Sequence, residues 1–420
     1  MKQGSSFIFG SEAQKWLEAL GDQVVVSATN FLTGVIIARA FGKDQFGLYI
    51  LGYSIIIIIL EIHNSFISSP YTINSAHLRA GALAHYTGSV LILVIGLSVL
   101  CSICLISAGA VASHGGGPRE TAPILCALSV IMGSILLKEY GRRVCFAQLK
   151  IRIAFLLDVI VSVTQISGLF LLTLLGFLSI TYVYWVMGVA SGTAAMIWLI
   201  AWRKQLVLQL SGVARTLRET WSFGTWVLGG NLTFLLAQQL YPWYLSWFNG
   251  VEPTGDLAAC LGILAIINPL ISGIGNFLGP KTASASIEGA NELWRVVFKT
   301  TLFLSAAIGL FCLAIIFLGE HIMILIYGKQ YIGSSRILSI LAISFFASNF
   351  TLAVGFGFWA IGRPDINCKI NLIALGITLT LGLWLVKAFG ILGVAYGFLF
   401  ASAAVSAVRL ITFIRLIQRV

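Results

Sequence analysis

Leu51-Gly-Tyr-Ser-Ile-Ile-Ile-Ile-Ile-Leu60 returns 210 residues later as Leu261-Gly-Ile-Leu-Ala-Ile-Ile-Asn-Pro-Leu270. The register holds beyond that stretch. Ile56, Leu60, Pro70 and Thr72 return as Ile266, Leu270, Pro280 and Thr282. Further along, Gly176, Leu178 and Tyr182 return as Gly390, Leu392 and Tyr396, and Ala147 with Lys150 returns as Ala360 with Arg363. Apolar sequences use few residue types, so each match is weak by itself. One order and nearly one register make the set a duplication of half the chain. A duplicated bundle of membrane helices encloses its site between the halves, which is the build of a transporter.

Composition sets the class. Of 420 residues, 58% are hydrophobic and 10% charged, against roughly a quarter charged in a soluble domain. Apolar runs of about 20 residues, long enough to cross hydrocarbon as helices, recur from end to end. Met1 to Glu18 is mostly polar and lacks the apolar core and cleavage site of a signal peptide, so the first apolar run is expected to remain as a helix.

The expected architecture is all-α and polytopic, with about twelve transmembrane helices in two pseudo-symmetric six-helix lobes. The spans lie near 19–40, 47–68, 87–111, 121–137, 153–175, 178–202, 221–246, 257–279, 296–319, 337–361, 367–387 and 391–414. The expected boundaries are an N-terminal lobe over 1–205, a cytoplasmic linker over 206–220 and a C-terminal lobe over 221–420. Glu320 to Tyr327 is too short to span and is expected to cap the adjoining helix at the surface.

Charge gives the orientation. Counted on alternate sides of these spans, Lys and Arg fall about four to one on the side holding Arg142, Arg143, Lys150, Arg152, Arg203 and Lys204. That side is expected to be cytoplasmic, with both termini on it. Anionic headgroups account for the net charge of +11 without nucleic acid. The seven cysteines fall in or beside apolar runs and read as packing residues, including the pair Cys101 and Cys104. No metal-ligand spacing and no phosphate-cradling glycine loop is present, so neither metal nor cofactor is expected.

Polar residues inside spans point inward. The first span carries Gln23 and Asn30, and its repeat partner, the seventh, carries Asn231 and Gln238, each pair seven apart. The second carries Ser54, Glu61, Ser65 and Ser68 on one expected face, flanked by Asn64. Its partner, the eighth, carries Asn268, Ser272 and Asn276 at intervals of four. Single residues of this kind can simply bond helix to helix. Four paired stripes favour a shared water-filled cavity.

Charges are fewer. Glu61 lies well inside the second span, where a carboxylate needs water, a cation or a proton. It is either a protonated structural residue or an ion-coupling one. Asp22, near the cytoplasmic end of the first span, either reaches water or joins that coupling. Arg39, near the outer end, either snorkels or presents a fixed cation to an anion. Asp158 reads as a salt-bridge partner of the basic segment before it. Pro242 and Pro269 bend their spans. The Trp and Tyr cluster at 241–247 reads as an interfacial belt or as a platform for sugar rings.

Several segments resemble one family. Phe31-Leu-Thr-Gly-Val-Ile-Ile-Ala-Arg-Ala-Phe-Gly-Lys-Asp-Gln-Phe-Gly-Leu-Tyr49, with Ala-Arg-x-x-Gly closing one helix and Phe-Gly-x-Tyr opening the next, resembles bacterial polysaccharide exporters and O-antigen flippases. These belong to the multidrug/oligosaccharidyl-lipid/polysaccharide (MOP) flippase superfamily. Arg142-Arg143-x-x-Phe-Ala-Gln148 with Leu156-Leu-Asp158, Leu325-Ile-Tyr-Gly-Lys-Gln-Tyr331 before Ile337-Leu338, and Phe389-Gly-Ile-Leu-Gly-Val-Ala-Tyr396 are similar to its later corners. The resemblance implies two six-helix lobes whose first, second, seventh and eighth helices line a central cavity. It also implies transfer of undecaprenyl-diphosphate-linked sugars to the outer leaflet. Arg39 matches the motif arginine and, by that resemblance, would face the diphosphate. Other cavity cations seen in some relatives have no counterpart here.

The function expected is therefore a flippase for a lipid-linked oligosaccharide in surface-polysaccharide biosynthesis, working by alternating access. Its partners would be the lipid-linked substrate, membrane lipids and a polysaccharide polymerase machinery. The rival is a drug/cation antiporter of the same superfamily, for which Glu61 and Asp22 would be the essential carboxylates. An enzyme is not expected, because the outer loops are short and hold no reaction cluster around His114 or His321.

Overall fold

The computed structural model describes the backbone of residues 4–116 and 121–417; the side chains of 4–17, 19, 80, 115, 116, 211, 223, 226, 276, 277, 280 and 364 lie outside the description. Among the described residues every regular element is helical. In order these are α1 (Gly4–Phe41), α2 (Lys43–His63), α3 (Ser69–Ser75), α4 (Ala80–Val111), α5 (Thr121–Ala147), α6 (Ile151–Leu174), α7 (Ile180–Trp202) and α8 (Val213–Asn249). The second half supplies α9 (Glu252–Leu264), α10 (Asn268–Glu288), α11 (Ala290–Tyr327), α12 (Ser335–Phe350), α13 (Leu352–Ala360), α14 (Pro364–Ile377), α15 (Leu383–Phe389) and α16 (Ile391–Ile417). Among the described residues, eleven stretches are long and apolar enough to cross a membrane. The 37-residue α8 covers the remaining expected span.

Four expected boundaries change, each for a local reason. The span read as 121–137 continues to Ala147, because Lys138, Glu139 and Arg142 pair with one another and with Asp158 while remaining helical. Residues 320–327 do not cap the surface as a separate piece; they are the last turns of α11. Glu320 interrupts the hydropathy but is a good helix former. At 38 residues α11 is about 57 Å long, well beyond the ~30 Å of hydrocarbon. The span read as 257–279 breaks into α9, a 3-10 turn at Ala265–Ile267 and α10, where Pro269 takes the first turn of a new helix. The second span is interrupted by a π turn at Asn64–Ser68.

The chain forms two compact units. One contains residues up to Thr33 and Gly52–Leu228; the other contains Gly34–Leu51 and Gly229–Val420. The corner joining α1 to α2 thus groups with the second unit.

In the first unit α5 packs on α4 and α7, and α6 packs on α7. Tyr71, Tyr140 and Trp198 form a buried edge-to-face series with centroids 5.6 Å apart at each step. The two phenol hydroxyls are partnered. Tyr140 donates to the Thr87 carbonyl at 2.7 Å, and the Tyr71 hydroxyl meets the Thr87 hydroxyl at 3.0 Å, so a buried aromatic cluster leaves these phenols satisfied. In the second unit α16 is central and packs on α12, α14 and α15. Phe358 and Phe413 meet edge to face at 5.6 Å among Leu293, Val297 and Leu278.

The duplication is visible in backbone geometry. The repeat-related Gly176 and Gly390 both have positive φ, +72° and +57°, at the close of one helix before the last of their half. A side chain at either position would be strained, which is why both copies hold glycine.

Candidate functional site

Each unit carries a polar face on its membrane-length helices. In the first unit Asn30 is exposed, while Gln23, Glu61 and Asn64 are half-buried. The opposite side of α1 is bonded to α6. Thr29 donates to Ser162 at 2.6 Å, and Gln165 donates to Thr33 at 2.8 Å. In the second unit Asn231 on α8 and Asn268 and Ser272 on α10 are exposed, with Gln238 half-buried. The side chain of Asn276 lies outside the described residues. An amide in contact with hydrocarbon has no partner for its donors and acceptors. Faces of this kind therefore require water or a polar ligand.

The serines expected on the face of the second span lie elsewhere. Ser54, Ser65 and Ser68 are buried at 0–1% exposure. Their intervals of 7, 4 and 3 assume an unbroken helix. The five-residue π turn adds a residue per turn and so displaces Ser65 and Ser68, while Ser54 is buried in the regular helix before it. Ser65 instead donates to Glu61 Oε1 at 3.2 Å, and the Ser68 hydroxyl lies 3.4 Å from His63 Nδ1. Ser65 thus orients Glu61 from inside the unit. Asn64 accepts from Arg143 Nη2 at 3.3 Å.

The first unit also contains an ion cluster that the sequence only half disclosed. Asp22 does not reach water; it is fully buried. Arg142 Nη2 donates to Asp22 Oδ2 at 2.5 Å, and Nε donates to Asp158 Oδ2 at 2.5 Å. Lys138 Nζ completes Asp158 from the other side at 2.9 Å, and Glu139 accepts from Arg142 at 3.3 Å. Three carboxylates face two cations, with Arg143 on the next residue. The bland reading of Asp158 as a salt-bridge partner of the Arg142 segment is what the geometry shows. The share taken by Asp22 was missed because hydropathy ended the fourth span before Arg142. The signal available was an arginine pair one turn beyond an apolar run, with an aspartate in each of two neighbouring spans.

Arg39 is exposed, and its guanidinium is engaged. Nε donates to the Ile326 carbonyl at 2.7 Å, and Nη2 donates to the Leu325 carbonyl. These carbonyls belong to the last turn of α11, whose unsatisfied acceptors and partial negative charge suit a cation. Neighbouring groups tie the same corner down. Lys43 Nζ lies 2.9 Å from Asp256 Oδ1, Ser334 donates to Asp256 at 2.7 Å, and Gln330 donates to the Ala38 carbonyl at 2.6 Å. A Cβ added at Gly255 would strike the Lys43 backbone, so α9 approaches the corner as closely as main chain allows. Lys43 also sits 5.4 Å over the ring of Tyr331. Burial, with the Asp256 carboxylate nearby, pushes the Tyr331 hydroxyl above its usual range. The Lys43–Asp256 pair carried no distinctive sequence signal, because both residues read as ordinary helix-end charges.

The fold recurs in solved structures. An inward-facing multidrug resistance MATE family transporter of the MOP superfamily superposes with a TM-score of 0.76 at 16% identity, covering 96% of this chain and 95% of that one. The lipid II flippase MurJ, in an inward closed conformation, gives 0.71 at 14% identity over 95% and 87%. A MOP superfamily transporter from Pyrococcus furiosus gives 0.70 at 14% identity over 96% and 95%. The chain has the MOP transporter fold. At these identities the likeness concerns the fold alone. No family model matches the sequence, and no curated protein matches it. The two-unit, all-helical architecture of a multi-pass MOP-fold membrane protein is thus in place, and the neighbours that share it are transporters and flippases.

Proposed function

We propose that this MOP-fold chain is a flippase for a lipid-linked oligosaccharide, of the undecaprenyl-diphosphate class, in surface-polysaccharide biosynthesis. The observation that carries the reading is the chemistry of the exposed intramembrane groups. Asn30, Asn231, Asn268 and Ser272 are neutral amides and a hydroxyl. They match the hydroxyls and acetamido groups of a sugar headgroup, which both donate and accept. Of the two acids that a cation antiporter would use, Asp22 is committed elsewhere, since Arg142 holds it. No covalent step is required. The barrier is the cost of taking a polar headgroup through hydrocarbon, and polar faces exposed to water lower it.

In this reading the amides of each unit bind the headgroup, and the polyprenyl tail remains in lipid. Glu61, positioned by Ser65, couples the cycle to a proton or cation. Arg39 secures the corner of α1 and α2 on α11, in place of the diphosphate contact implied by the family motif. The substrate, the membrane lipids and a polymerase downstream are the proposed partners, in an inner membrane with both termini cytoplasmic.

One observation favours a second reading, a drug/cation antiporter: Glu61 is a half-buried carboxylate inside a span. The two readings separate in cells lacking their own exporter. A flippase restores surface polysaccharide and leaves resistance to cationic dyes unchanged. An antiporter does the reverse.

A further inference from the structure

We infer that the first unit holds a binding site for a phosphate-bearing anion at the Lys/Arg-rich end of its helices, apart from the polar faces described above. A cavity of about 860 Å³ lies where α3 ends, α4 begins and α8 starts. Pro70 and Ile73 are among its apolar lining; His77, His85 and Arg218 are among its polar groups. Those three side chains are exposed, and among the described residues they make no hydrogen bond or ion pair. The neighbouring Arg215 is different, because Glu219 holds it at 2.9 Å. The wall is fixed on one side by Asn74, which donates to the Tyr86 hydroxyl at 3.1 Å.

Three features converge on an anion. The uncommitted groups are a guanidinium and two imidazoles, which donate in the geometry that phosphate oxygens accept. The first turns of two long helices, α4 and α8, line the same cavity. Helix N-termini carry partial positive charge, and no side chain caps α4. Pro70, Ile73, Leu78 and Ala82 give the same cavity an apolar part, so a phosphate with a hydrocarbon portion fills it better than a bare ion. The shared chemistry is the phosphate group, supplied by an anionic lipid headgroup or by a soluble phosphate. The site uses none of the amides assigned to the headgroup, so its failure would leave the proposed function untouched.

The test uses the purified full chain in a neutral detergent, titrated with dioctanoyl phosphatidic acid, with sodium pyrophosphate, and with dioctanoyl phosphatidylcholine as the uncharged-headgroup control. Phosphatidic acid is expected to bind saturably, and phosphatidylcholine is not. Displacement by pyrophosphate would assign the site to soluble phosphates as well; absence of displacement would assign it to the lipid headgroup. Arg218→Ala is expected to weaken binding about ten-fold, as is the His77→Ala/His85→Ala pair. Lys204→Ala, on the same side of the membrane, is expected to leave it unchanged. The exposed positions should leave the unfolding temperature unaltered, and that measurement separates loss of binding from loss of fold. Absence of saturable binding by both phosphatidic acid and pyrophosphate would overturn the inference. So would equal binding by the wild type, Arg218→Ala and the histidine variant.

Discussion

Asp22 and Asp158, 136 positions apart in sequence, are held by one guanidinium, with Arg142 donating to each at 2.5 Å. Both carboxylates are almost inaccessible, at 0% and 3%. Removing the cation from such a set strands buried charge, which costs about 3–5 kcal/mol. Arg142→Ala should therefore lower the unfolding temperature of the purified protein by several degrees. Asp22→Asn in the same chain should recover part of the loss, because it removes one stranded charge. If Arg142→Ala unfolds like the wild type, the cluster has no structural role.

The corner of α1 and α2 yields a second expectation. Lys43 and Asp256 are both partly buried, at 18% and 15%, and Asp256 also accepts from Ser334. A double-mutant cycle of Lys43→Ala and Asp256→Ala should show coupling of about 0.5–3 kcal/mol in thermal unfolding. Arg39→Ala should likewise reduce stability. It should leave substrate affinity nearly unchanged, because its donors are used by α11 carbonyls. A large rise in KM with normal stability would return Arg39 to the substrate.

The exposed amides are expected to act in transport without supporting the fold. Asn268→Leu and Asn30→Leu should each reduce transport about five-fold or more at normal protein levels, the effect of one hydrogen bond to a substrate. Neither should lower the unfolding temperature. Transport at wild-type rates in both variants would remove the polar faces from the path.

Glu61 separates coupling from binding. Glu61→Gln keeps the size and the hydrogen bond from Ser65 but cannot ionise. Its transport rate should no longer respond to an imposed proton or sodium gradient, while binding of the lipid-linked sugar persists. A gradient response equal to that of the wild type would exclude Glu61 as the coupling group.

Much of this architecture was legible in the chain because membrane helices are written in long apolar runs and the duplication checks them twice. Gly176 and Gly390 show how far that reading reaches, since one sequence repeat places a positive-φ glycine at the same point of both halves. The failures share a cause. Hydropathy measures polarity and not helicity, so charged turns that pair among themselves, at Lys138 to Arg143, or that simply continue, at Glu320, read as ends. Side-chain spacing fails where the helix changes pitch, which is why Ser65 faces the interior while Glu61 is half-exposed. Arg39 reads in the sequence as either a snorkelling side chain or a fixed cation for an anion, but its acceptor is a helix end 286 residues away, and no local pattern encodes that.

The central claim is best tested with a fluorescent undecaprenyl-diphosphate-linked oligosaccharide in sealed vesicles, by measuring the fraction of headgroup that an impermeant quencher reaches. Without protein, about half should be reached, since only the outer leaflet is accessible. With the reconstituted chain, quenching should proceed to near completion, and Asn268→Leu should slow it. Quenching that stops at half with correctly folded protein present would contradict the account.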